Sequence, residues 1–385
     1  MAHPFWRHAF LLDNPEDLQA IHASGIREVW IDTAKGLDVE DGAAEKIVAE
    51  ANKSPAQEDA TGDRKPRIDT AQEAARAALI CIKSRQAVAS MFEEARMGKA
   101  LEAEGAMTVV EEISSSVLRN PDALIGLVRL KDKDDYTYMH SVAVCALMVS
   151  LARQLELDDR QVREAGMAGL LHDIGKMKIP LEILNKPGKL TDAEFDLVKS
   201  HSAEGYKMLH EGTGISEIAK DVCLHHHEKV DGSGYPDKLK APQINLFSKM
   251  GAVCDVYDAV TSNRPYRNGW EPAEAIRRMA EWSAGHYDPV IFKAFVKSIG
   301  IYPVGSLVRL ESGRLGVVMQ QIEKSLLTPV VKVFFSIKSN GRIAPEIMDL
   351  SKPYCKDKIV SHENPEEWDI PDINQLWSGL PTSYL

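Results

Sequence analysis

Apolar positions recur at helical spacing from Ala71 to about Leu130: Ile80, Ala87, Val88, Met91 and Phe92 share one face, and Val109, Ile113, Val117 and Leu118 the next. Such a stripe belongs to helices that pack on a core or on a second copy of the chain. The helical period continues over residues 135–300, in segments punctuated by Pro180, by Lys186-Pro187-Gly188 and by Asp231-Gly232-Ser233-Gly234-Tyr235-Pro236. Thr191-Asp192-Ala193-Glu194 is a capping box and predicts a helix running to about Leu209. After Tyr302-Pro303 the period changes to two: Ser306–Leu310, a turn at Glu311–Arg314, Leu315–Met319 and Pro329–Ile337 read as short strands. At the front of the chain, Asn14-Pro15-Glu16-Asp17 opens a helix and Arg27–Thr33 alternates like a strand, whereas Asp41–Thr70 has few large apolar side chains. The pattern predicts a mainly α protein. It has a small N-terminal α/β domain over 1–40, a linker over 41–70, connecting helices over 71–130, an all-α domain over 131–300, and a small β subdomain with a tail over 301–385.

Composition narrows the function. Of 385 residues 44% are apolar, enough for a sizeable core, and 57 acidic against 46 basic side chains give a net charge of −11. A general nucleic-acid binder needs a basic surface, so DNA is not an expected partner. The first 70 residues carry 14 acids and 8 bases and the last 35 carry 6 and 3, which leaves residues 71–350 at only −2. An anionic ligand would therefore meet a nearly neutral middle with local cations. The five cysteines form no Cys-x-x-Cys pair, and the reading is a reduced, cytoplasmic protein. The longest apolar run, Val142–Ala152, is about half of the roughly 20 residues that span a bilayer, so no membrane insertion is expected.

The candidate chemistry lies in the helical middle. His140 begins an apolar helix, His172-Asp173 ends another, and His201 lies inside the capped helix. His225-His226-His227-Glu228 follows Val222-Cys223-Leu224, and Asp255 and Asp258 lie on the next helix. Taken singly, each is an ordinary core or surface residue. Together, several ionisable groups on apolar helices need mutual compensation, which a metal supplies. Imidazole with carboxylate suits iron, manganese, nickel or zinc. Adjacent helical residues point about 100° apart, so His172 and Asp173 cannot chelate one ion from one direction, whereas Asp173 could bridge two. Two metals about 3.5–4 Å apart can hold a nucleophilic hydroxide and neutralise a phosphoryl oxygen.

His172-Asp173, followed by His226-His227-Glu228-Lys229-Val230-Asp231-Gly232-Ser233-Gly234-Tyr235-Pro236, resembles the HD-GYP family of cyclic di-GMP phosphodiesterases. The resemblance covers about residues 135–300, including Tyr136-Thr137-Tyr138-Met139-His140-Ser141 and Asn263-Arg264-Pro265-Tyr266-Arg267. It implies an HD-type helical bundle and a first metal on His140, His172, Asp173 and Asp255. A second metal is implied on Asp173, His201, His226 and His227, with His225 left out. The implied cofactors are two divalent transition ions, iron or manganese first, with nickel, cobalt and zinc also compatible. Asp173 and Lys176 take catalytic roles, and Lys176, Gly234, Tyr235, Arg264 and Arg267 lie near the nucleotide. Asp258 is expected to orient its neighbours. Some members hold a third metal through a glutamate at the position of Tyr136, so the resemblance implies a binuclear site here, with pGpG as main product and GMP formed slowly. Implied partners are cyclic di-GMP, diguanylate cyclase (GGDEF-type) domains and a second copy through residues 71–130. The start of the chain is similar to the uncharacterised domain often fused ahead of HD-GYP, without its usual opening strand. The alternative reading is a cyclic di-GMP-binding effector with little turnover.

Overall fold

The computed structural model describes residues 70–130, 136–186, 188–263, 269–322 and 325–381. The chain divides into two units, Met1–Gly62 and Asp63–Leu385, and every described residue lies in the second. The expected N-terminal α/β domain lies outside the described residues. So do the substrate candidates Arg264 and Arg267.

Three helices lead in: α1 (Thr70–Arg96), α2 (Ala103–Arg119) and α3 (Pro121–Val128). They pack within the chain on one another and on α4 (Tyr136–Gln154). An ion pair on a buried carboxylate fastens α1 to α2. Glu73, fully buried, accepts from Arg119 Nη2 at 2.7 Å and from Ser116 Oγ at 2.8 Å. Val109, Ile113 and Val117 face the core as the spacing predicts, but Ala87 and Leu118 are exposed. Each follows or precedes a buried valine by one residue, and a 100° step carries it off the stripe.

α4 is the centre of the bundle. Residues 139–152 are buried around its whole circumference, as expected for a helix hydrophobic all round. Around it stand α5 (Asp159–Leu171), opened by a capping box of Asp158 and Gln161, a 3₁₀ turn (Ile174–Lys178) and the one-turn α6 (Leu181–Leu184). Then follow α7 (Asp192–Lys199), α8 (His201–Glu211), α9 (Glu217–His225), α10 (Leu246–Thr261), α11 (Pro272–His286) and α12 (Pro289–Ile299). The Thr191–Glu194 capping box forms, but its helix stops at Lys199 instead of reaching Leu209. Side chains end it: Ser200 Oγ donates to the Leu197 carbonyl at 2.7 Å and His201 Nδ1 to that of Val198 at 2.6 Å. His201 therefore opens α8 rather than lying inside a continuous helix.

The C-terminal part is one antiparallel sheet in the order β4-β3-β2-β1-β5, from β1 (Leu307–Leu310), β2 (Arg314–Ile322), β3 (Ser325–Ser336), β4 (Gly341–Asp349) and β5 (Ile359–Glu363). Leu307 pairs with Val317, and Val318 with Val331. The sheet is tied to α3 where Gln321 N donates to Asp122 Oδ2 at 2.9 Å. The last helix, α13 (Ile373–Ser378), buries Trp377 completely, with its ring against Gly126 of α3. Among the described residues no helix is long and apolar enough to cross a membrane.

Candidate metal centre

Close helix packing brings the site residues together. α5 ends at Leu171, so His172 caps it and Asp173 leads into the 3₁₀ turn. Gly175 in that turn lies so near α8 that a Cβ would stand 1.9 Å from the His201 carbonyl oxygen and 2.4 Å from Gly205 N. Only glycine permits this contact, and it sets Asp173 beside His201. α4 contributes His140, α9 ends in His225 with His226 as its cap, and α10, buried along most of its length, contributes Asp255 and Asp258.

Asp173 is the hub. Its Oδ2 lies 3.3 Å from Nε2 of both His140 and His172, and Asp255 Oδ1 lies 3.1 Å from His140 Nε2 and 3.9 Å from His172 Nε2. Its Oδ1 faces the other way, 3.3 Å from His201 Nε2 and 3.8 Å from His226 Nε2. Donor atoms of His140, His172 and Asp255, and separately of His201, His226 and His227, lie within 4.8 Å of one another. All seven residues named for metal are thus gathered in one cluster, with one carboxylate between two donor sets.

The imidazoles are aimed by bonds on their far sides. His140 Nδ1 is 2.6 Å from Asp258 Oδ2, His172 Nδ1 2.8 Å from the Gly169 carbonyl, and His226 Nδ1 3.0 Å from the carbonyls of Val222 and Cys223. Such partners fix the tautomer and turn Nε2 inward.

The donor set fits metal ions. His172 Nε2 and Asp173 Oδ1 are buried and make no hydrogen bond among the described residues, an arrangement costing about 1–3 kcal/mol per group unless something binds there. Burial holds His201 and His226 below the usual histidine range, helped at His226 by neighbouring imidazoles, and pushes His227 down to about 3. These rings are neutral, the ligating form. Burial opposes ionisation of Asp173, but Lys176, His172 and His140 hold its carboxyl well below the usual range; His140, His227 and His172 do the same for Asp255.

At the rim, Lys176 Nζ donates to Asp173 Oδ2 with its side chain 23% exposed, so the one ammonium reaches both the hub and solvent. The Tyr235 ring lies 4.7 Å from that of His227, and burial raises its phenol above the ordinary range. Gly234 packs on the backbone after the histidine pair: a Cβ there would stand 2.5 Å from Glu228 Cα and Lys229 N. Glu228 had no assigned role from sequence. Its buried carboxylate accepts from Asp237 N at 2.7 Å and Leu239 N at 3.0 Å, and so holds the loop carrying Tyr235. The signal in the sequence was an acidic residue set directly after the histidine pair.

The family model for the HD domain matches residues 121–291, and one for a domain of unknown function (DUF3391) matches residues 1–106. A cyclic di-GMP phosphodiesterase of Pseudomonas aeruginosa is 56% identical over 388 residues, covering 99% of this chain and 91% of that protein. With these matches, the chain belongs to the HD-GYP family of HD-domain proteins. A cyclic di-GMP phosphodiesterase of Thermotoga maritima is 38% identical over 166 residues, 43% of this chain and 45% of its own length. An HDG"Y"P protein from Bdellovibrio bacteriovorus matches in fold with a TM-score of 0.50 at 18% identity, covering 67% of this chain and 80% of that one.

Proposed function

We propose that the protein is a metal-dependent phosphodiesterase that hydrolyses cyclic di-GMP to linear pGpG, with the second cut to GMP slower. The observation that carries this is Asp173, whose two oxygens face two separate histidine sets. We assign one ion to His140, His172, Asp173 and Asp255 and a second to Asp173, His201, His226 and His227. Bound there, two divalent ions supply Lewis acidity: they neutralise phosphoryl charge and lower the pKa of water. Iron or manganese is the proposed pair, with nickel, cobalt or zinc also compatible with this imidazole and carboxylate set.

The chain's own residues do the rest. Lys176 holds a positive charge beside Asp173, where a phosphoryl oxygen gains charge in the transition state. Water oxygen adds to one phosphorus and gives up a proton, the P–O3′ bond breaks, and the 3′ oxygen takes up a proton, leaving pGpG. Tyr235, on its turn with Gly234, lines the nucleotide site, and Arg264 and Arg267 supply charge for the substrate's phosphates. Residues 131–300 form the catalytic unit, residues 71–130 a dimer surface, and residues 1–40 and 301–385 accessory domains joined in part by the linker 41–70. The protein acts in the cytoplasm, with diguanylate cyclase domains as candidate partners.

Product analysis after anaerobic loading with manganese or iron tests this reading. It predicts accumulation of pGpG; stoichiometric cyclic di-GMP binding without product would contradict it, and fast, clean GMP formation would contradict the binuclear form.

A further inference from the structure

His225 is the histidine that the two donor sets leave out, and its surroundings differ from those of its neighbours. Nδ1 lies 3.0 Å from Asp221 Oδ1, one helical turn back on α9, and Nε2 lies 3.0 Å from Asp237 Oδ2. Both ring nitrogens therefore face carboxylates, and neither is left for a metal. Asp221 is itself engaged on its other oxygen. Ser248 Oγ donates to Asp221 Oδ2 at 2.6 Å, and Asn245 Nδ2 donates to the same atom. Asn245 is the N-cap of α10, accepting from Ser248 N at 2.8 Å. The chain of contacts Asp237–His225–Asp221–Asn245 thus joins the loop after Tyr235, the end of α9 beside His226 and His227, and the start of the helix bearing Asp255.

We propose that His225 is a positioning residue, whose ring bolts Asp237, and with it the turn carrying Gly234 and Tyr235, to the end of α9 next to the histidine pair. Asp237 is two residues beyond Tyr235, and its side chain is 55% exposed against 14% for His225. The Glu228 carboxylate holds backbone amides of that loop, Asp231 Oδ1 accepts from Ser233 N at 2.8 Å and the Tyr235 ring lies against His227; the His225 ring adds the tie to the side chain of Asp237. Losing it frees the rim rather than the metal cluster. The effect on substrate rests on the phosphodiesterase reading above; the effect on the loop does not.

Full-length His225→Ala, Asp237→Ala and Asp237→Asn test this, by manganese content, by deuterium exchange of amides 232–239, and by KM and kcat for cyclic di-GMP. Both alanine variants are expected to bind as much manganese as wild type and to exchange faster over 232–239, with KM raised roughly fivefold, the scale of one hydrogen bond, and kcat within about twofold. Asp237→Asn keeps an acceptor for the ring and is expected to restore wild-type exchange and KM. Loss of one manganese per chain in His225→Ala would make it a ligand and overturn the proposal, as would unchanged exchange in Asp237→Ala. Should His225→Ala not fold, the exposed Asp237 variants decide alone. Should wild type not turn over cyclic di-GMP, the activity reading fails while the exchange comparison still decides the bolt.

Discussion

Asp258 Oδ2 lies 2.6 Å from Nδ1 of His140, on the side of the ring away from Asp173. The carboxylate lies one helical turn after Asp255 on α10, so one helix supplies both a donor to the cluster and the group that aims another donor. Asp258→Asn keeps the size but weakens the aim. Loss of such a partner typically costs 10–100-fold in metal affinity, and we expect that range for the ion on His140, measured by metal retention during dialysis against a graded chelator. Unchanged retention would mean that His140 needs no orienting partner.

Gly234→Ala is expected to lower activity. The added Cβ would stand 2.5–2.6 Å from backbone atoms of His227, Glu228 and Lys229, which cannot swing aside as a side chain can. Overpacking of this kind costs about 1–3 kcal/mol. Here it would push the turn off the histidine pair, so the thermal midpoint and the turnover should fall together.

Trp377 measures how firmly the C-terminal segment belongs to the helical core. It is fully buried, and a Cβ on Gly126 would lie 2.7 Å from its ring. Trp377→Ala should cost about 3–5 kcal/mol in denaturant unfolding. The metal content of the folded fraction should stay at the wild-type value, since Trp377 touches no residue of the cluster in the contacts described.

The metal-free protein should lose stability as pH falls below about 6.5. His201, His226 and His227 resist protonation when folded, chiefly through burial, and His227 does so down to about 3. Unfolded, the same rings protonate near 6.5, so the unfolded state binds more protons and gains relative to the folded one. Each such group costs up to about 1.4 kcal/mol per pH unit below that point. His286 adds to this with the same sign; His225, raised by Asp221 and Asp237 against the effect of burial, opposes it, and Asp173 and Asp255 matter only below the ordinary aspartate value of 3.8. A falling thermal midpoint of the chelated protein between pH 7 and 5 is the expected result; a flat profile would contradict it.

Much of the cluster was legible in sequence because its members stand in short strings whose residue types are costly to bury singly. His172-Asp173 and His226-His227 are visible as pairs, although Asp173 lies beyond the end of α5, leading into the 3₁₀ turn, where the 100° helical step does not apply. Asp258, expected to orient its neighbours, bonds the far side of His140, but what bonds the far sides of His172, His201 and His226 was not legible, because Gly169, Val198 and Val222 contribute backbone carbonyls, which any residue carries. Gly175 gave no sign of the helix contact it permits. The break at Ser200 was hidden because a capping box announces where a helix begins and says nothing of where side chains end it. Strands β1 to β3 are rich in buried apolar residues and were read, whereas β4 is mostly exposed and contains Pro345 in its middle, so no buried face marked it. Edge strands commonly have this character.

In the proposed phosphodiesterase centre Asp173 would be shared by two metal ions. Metal content and cyclic di-GMP turnover, measured on the same anaerobically loaded preparations of wild type and Asp173→Ala, test it most directly. The expected result is close to two ions per wild-type chain with pGpG released, and in Asp173→Ala loss of metal from both sets with no detectable product. A variant that keeps two ions and still makes pGpG would contradict it.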